Sequence, residues 1–137
     1  MYFNKNIPEL DVTNLENTVK FYKTCGFKIE YARKENKFVF MSLGEIQFMF
    51  CELKEINKWE TGKLEYPFGR GINFQLEVDD VQSVYDALVE SGYEIMIEME
   101  ENWYRQDDKY LGNKEFLVQD PDGYLLRFSE DLGSRDE

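Results

Sequence analysis

The sequence predicts an α+β fold of two tandem β-α-β-β-β units forming a curved mixed sheet around a cleft. Two observations point to it. The second half repeats the first at an offset of 66 residues: Val12-Thr13-Asn14-Leu15 lines up with Val78-Asp79-Asp80-Val81, and Cys25-Gly26-Phe27-Lys28-Ile29 with Ser91-Gly92-Tyr93-Glu94-Ile95. Each half also opens on strand-like alternation, passes to helical spacing, and returns to strand-like runs. A repeat of this length carries a supersecondary unit that cannot bury its apolar face alone. Two copies are expected to pair around a shared surface, and function is expected there.

In the first unit, Asn6–Val12 alternates as a strand, with Pro8, Leu10 and Val12 on one face and Ile7, Glu9 and Asp11 on the other. Thr13-x-x-Glu16 reads as a capping box opening a helix. Leu15, Val19 and Tyr22 follow at helical spacing, and Gly26 stands where a left-handed C-terminal residue is wanted. Strands are expected at Lys28–Ala32, Phe38–Leu43 and Ile46–Glu52, the last two joined by a tight Gly44-Glu45 turn. A regular hairpin there puts Phe38 and Phe40 on one face with Met49.

Positions 53–69, including Lys54, Asn57, Gly62 and Pro67, are polar and irregular and read as a connection. The second unit opens with Ile72–Val78, where Asn73, Gln75 and Glu77 share a face opposite Ile72, Phe74, Leu76 and Val78. Asp79 takes the cap position equivalent to Thr13. Val81, Val84, Tyr85 and Leu88 form the apolar stripe, and Gly92 ends the helix. Strands are expected at Glu94–Met99, Glu115–Gln119 and Tyr124–Ser129. An irregular insert, Glu100–Lys114, carries Trp103, Tyr104 and Tyr110, and Asp120-Pro121-Asp122-Gly123 marks a turn. The organisation is thus one domain over 1–137, with units at 4–52 and 70–130, a connection at 53–69, and a frayed acidic tail at 131–137.

Composition narrows the classes. Sixteen basic against 28 acidic residues give a net charge of −12, which argues against a nucleic-acid partner, since binding phosphates needs clustered Lys and Arg. The charge serves solubility and also suits a cationic small molecule. No stretch is apolar enough for a membrane span, no signal peptide is evident, and Cys25 and Cys51 read as thiols in a reducing compartment, so a cytoplasmic protein is expected. The absence of histidine excludes Ser/His and Cys/His nucleophile systems.

The tandem units, the segment Ile7-Pro8-Glu9-Leu10-Asp11-Val12, and Phe116-Leu117-Val118-Gln119-Asp120-Pro121-Asp122-Gly123-Tyr124 followed by Leu125-Leu126-Arg127-Phe128 resemble the vicinal oxygen chelate superfamily of glyoxalases, bleomycin-resistance proteins and extradiol dioxygenases. The resemblance covers residues 5–130. It implies that four strand positions, which in the enzymes supply His, Glu or Gln to a divalent metal, fall on Ile7, Met49, Asn73 and Arg127. Ile, Met, Asn and Arg cannot form the oxygen or imidazole cage such an ion needs. No metal and no other cofactor is therefore expected.

The chain resembles the metal-free bleomycin-resistance branch, whose members are homodimers that sequester the antibiotic. The resemblance implies stoichiometric binding of a flat, partly cationic molecule by stacking and carboxylate attraction. Trp103 and Tyr104 are the expected stacking groups, and Phe38, Phe40 and Met49 the apolar floor. Asn73 and Arg127 are the polar anchors, Glu9 a cation partner, and Trp59 and Phe68 the rim. Each aromatic also suits packing in a seam or a dimer contact. Two other functions stay open: a metal-independent lyase, isomerase or transferase using Glu9, Asp11 or Glu115 as base beside Arg127, and a ligand-sensing or assembly protein.

Overall fold

Alternating apolar residues build two four-stranded mixed sheets, each with one helix against one face. The architecture comes from a computed structural model, which describes residues 2–55 and 58–136. Asn57 of the connection and Glu137 of the tail lie outside the described residues. The elements run β1 (Glu9–Val12), α1 (Leu15–Cys25), β2 (Lys28–Arg33), a 3-10 turn (Lys34–Asn36), β3 (Phe38–Leu43), β4 (Ile46–Glu52), β5 (Asn73–Glu77), α2 (Val81–Glu90), β6 (Ile97–Gln106), β7 (Lys109–Gln119) and β8 (Leu125–Asp136). The strands lie in the orders β1-β4-β3-β2 and β5-β8-β7-β6. The α+β class with tandem β-α-β-β-β units is as the sequence predicts.

The chain divides into two compact units, Met1–Phe68 with Pro121–Gly123, and Gly69–Asp120 with Tyr124–Glu137. In the first, β1 runs parallel to β4 with Leu10 beside Phe50, and β3 pairs antiparallel to β4 with Val39 opposite Phe50 and Met41 opposite Phe48. These side chains form the face under α1, where Tyr22 meets Phe50 at 4.6 Å and Phe48 at 5.9 Å between ring centroids. The second unit repeats the plan: β5 runs parallel to β8, and Phe116 of β7 stacks on Phe128 of β8 and meets Tyr85 of α2 edge-on. Val12, Phe21, Tyr22, Phe50, Leu88, Phe116 and Phe128 are wholly buried.

Several boundaries differ from the expected ones. The first strand begins at Glu9, not Asn6: its first ladder bond is Met49 N–H to the Pro8 carbonyl, and Pro8 has no N–H of its own to extend the ladder. The helix caps sit one residue later in both halves. Asn14 accepts from Asn17 N–H and Asp80 from Ser83 N–H, so Thr13 and Asp79 are not the caps. Thr13 instead gives its hydroxyl and its N–H to the two carboxylate oxygens of Asp122, at 2.6 and 3.1 Å. Gly26 is left-handed, φ 109°, and ends α1 as expected.

Positions 100–114, expected to be an irregular insert, are strand on either side of a two-residue turn at Asp107-Asp108. β6 and β7 form one long hairpin, with Trp103 opposite Gly112 and Tyr104 opposite Leu111. The segment expected to fray is also strand: β8 continues to Asp136, pairing Leu111 with Ser134 and Tyr110 with Arg135.

A second correspondence survives the duplication. Glu52 at the end of β4 accepts the Leu15 N–H that opens α1, and Glu130 of β8 accepts the Val81 N–H that opens α2. Each helix start thus receives a carboxylate from a neighbouring strand, where unpaired N–H groups and the helix dipole favour negative charge.

Candidate functional site

Each sheet has a second face, turned away from its helix, and strand alternation assigns side chains to it. In the first unit this open face carries Glu9 beside Met49, Asp11 beside Cys51, and Phe38 and Phe40 opposite Cys51 and Met49. The expected sharing of one face by Phe38, Phe40 and Met49 therefore holds. Their surroundings are already aromatic. Phe40 is wholly buried, with Tyr31 stacked on it and Phe3 tilted against it, both at 5.4 Å. Phe38 contacts Tyr31 and carries the Arg33 guanidinium 4.1 Å above its ring. Met49 is half-buried and Glu9 exposed. Ile7 precedes β1.

The Cys51 thiol on this face is pushed up from its ordinary pKa chiefly by burial, with Glu9 and Asp11 adding to the effect against Lys54. It is not primed as a nucleophilic thiolate. Nearby, a cavity of about 470 Å³ is lined by Tyr2, Asn4, Lys28, Glu30, Ser42, Gly44, Glu45 and Gln47. Its polar groups are largely matched to one another: Gln47 bonds the backbone of Tyr2 and Asn4, and Glu30 takes both Lys28 and Ser42.

In the second unit the open face carries Asn73, Gln75 and Glu77 of β5, and Arg127 and Ser129 of β8. Gln75 is the direct register partner of Arg127 and Glu77 of Ser129, whereas Asn73 lies beside Leu125. A cavity of about 500 Å³ opens here, lined by Gln75, Glu77, Tyr104, Leu111, Gly112, Asn113, Arg127, Ser129 and Asp131. Arg127 is held by the buried carboxylate of Glu115 at 3.1 Å. The cavity wall also carries two further carboxylates, Glu77 and Asp131.

The structure thus brings Tyr104 and Arg127 to one cavity. Trp103 lies on the opposite face of β6: its ring rests on Gly112, under the Arg135 guanidinium at 4.1 Å, with its Nε1–H donated to Glu101. Trp59 is exposed with Lys58 over its ring, and Phe68 is buried in the first unit. Asn113, Asp131 and Leu111 carry no signal in the sequence, because they fall in the segments that read as insert and tail. The alternation through Asn73 already pointed at Gln75 and Glu77.

A family model described as the Glyoxalase/Bleomycin resistance protein/Dioxygenase superfamily matches residues 8–128. The chain belongs to this superfamily. A superfamily member from Vibrio splendidus 12B01 is 31% identical over 90% of this chain and 95% of its own, with a TM-score of 0.44. A hypothetical protein from S. aureus is 22% identical, covers 95% of both chains and has a TM-score of 0.68. TioX from Micromonospora sp. ML1 is 16% identical over 93% of this chain and 95% of its own, again with a TM-score of 0.68. The last two share the fold. No curated protein matches the chain.

The four residues that the resemblance puts at metal-holding positions, Ile7, Met49, Asn73 and Arg127, do not make a donor set fit for a divalent ion. The two carbon-rich side chains offer at most a thioether, and Arg127 offers only donors and a positive charge. Among the described residues, no group of three or more His, Cys, Asp or Glu is placed to hold a metal. Among the same residues no helix is long and apolar enough to cross a membrane.

Proposed function

We propose that this superfamily member is a metal-independent small-molecule-binding protein that sequesters a bleomycin-type antibiotic stoichiometrically, as a homodimer. Arg127 is the observation that carries the reading. The resemblance puts it where metalloenzymes of the superfamily offer an oxygen ligand, and it presents a guanidinium already matched by Glu115 at 3.1 Å. A fixed positive charge there disfavours a divalent cation. The space above it is bounded by Tyr104, Leu111 and two further carboxylates, which suits an organic ligand carrying positive charge.

The test is calorimetric titration of the purified protein with metal-free bleomycin, with the drug recovered and checked for modification. Saturable binding of unmodified drug is expected. Tight binding of Ni, Mn, Zn or Fe with activity restored on a glutathione hemithioacetal or a catechol would overturn the reading in favour of a lyase or dioxygenase. Light scattering checks the dimer, and a monomer at all concentrations would remove that part.

A further inference from the structure

We propose that the cavity on the open face of the β5-β8-β7-β6 sheet takes a planar organic cation rich in N–H donors, an amidinium or guanidinium attached to an aromatic ring. This rests on the reading of the protein as a small-molecule binder and names the ligand chemistry of the site.

Arg127 is the cavity's one cation among the lining residues, and Glu115 matches it. Glu77 and Asp131 then leave the cavity anionic. Glu77 is exposed, and its carboxylate has no ion-pair or hydrogen-bond partner among the described residues. Asp131 uses Oδ1 for the Gly133 N–H at 2.8 Å, which leaves its other oxygen uncommitted.

The hydrogen-bond inventory then separates one kind of cation from another. Asn113 lines the cavity, and its Oδ1, buried from solvent, has no hydrogen-bond donor among the described residues. A ligand N–H that meets this acceptor on rotation of the Asn113 amide matches it, a gain closed to a ligand without donors. Glu77, Asp131 and Asn113 are all acceptors, and no quaternary ammonium can satisfy them. A planar amidinium offers several N–H groups in one plane, matched to carboxylate geometry. Tyr104 and Leu111, directly opposite each other and 53% and 41% exposed, supply an apolar wall for the attached ring.

The experiment titrates the full chain, followed by NMR, with four probes of one shape: benzamidine, benzamide, benzoate and phenyltrimethylammonium. Benzamidine is expected to bind about tenfold more tightly than either benzamide or phenyltrimethylammonium, with benzoate weakest. The double variant Glu77→Gln/Asp131→Asn, with the thermal midpoint checked, should lose that advantage. Preferred binding of benzoate would assign the cavity to anions through Arg127 and overturn the proposal. Equal binding of phenyltrimethylammonium, or benzamidine affinity unchanged in the double variant, would also overturn it. Bleomycin bound equally by wild type and double variant would overturn this inference while leaving sequestration intact. Benzamidine bound as expected by a protein that ignores bleomycin would uphold it and remove only the antibiotic.

Discussion

Arg127 and Glu115 illustrate how one ion pair can hold a face together. Glu115 is buried on β7 while Arg127 keeps part of its side chain exposed, so each mutation has a different cost. Arg127→Met strands a buried carboxylate and is expected to destabilise by about 3 kcal/mol, read from urea unfolding. The double variant Arg127→Met/Glu115→Leu should recover most of that loss. Gly112 makes a sharper case. A Cβ built there falls 2.6 Å from the Trp103 ring, so Gly112→Ala is expected to cost about 1–3 kcal/mol through overpacking, with altered Trp fluorescence as a second readout.

Glu52 links a residue to an element. Its carboxylate is held below the usual range by the Lys37 ammonium, then by the Leu15 N–H at the start of α1. A depressed folded pKa means the stabilisation is present above the ordinary value of 4.5 and is lost as pH falls through the folded value. Urea midpoints should therefore drop on acidification below about pH 4.5, and drop less in Glu52→Gln. Elements were legible in the sequence where both a face and a turn were written into it. β3 and β4 match to the residue, since a run of Phe, Val and Met meets a Gly44-Glu45 turn. The β6–β7 hairpin was not legible: much of β6 is exposed on both faces, so Glu98, Glu100 and Glu101 produce no hydrophobic alternation, and its order comes from pairing with β7. The same cause hid part of the site. Asn73, Gln75 and Glu77 follow from alternation, whereas Asn113 and Asp131 reach the cavity because β7 and β8 are longer than their apolar cores.

At the scale of the molecule, the net charge of −12 is a cost the fold carries at low ionic strength. Adding salt from about 10 mM to about 150 mM shortens the screening length severalfold, so the thermal midpoint should rise, as calorimetry would show. A pair-dominated surface would show the opposite trend. The turn at Pro121–Gly123 bears on how the molecule comes into being. It belongs to the first unit, where Asp122 fixes Thr13 and its carbonyl accepts the Phe68 N–H. Asp122→Ala should accordingly weaken the first unit by about 1–3 kcal/mol, seen as faster amide exchange around Thr13. On the ribosome, residues emerge in order, so the final piece of the earlier half arrives only after β5, α2, β6 and β7 have been made. The two halves repeat one plan, yet the earlier one cannot be completed until most of the later one has been made, and a cut in the connecting segment does not yield a finished first half.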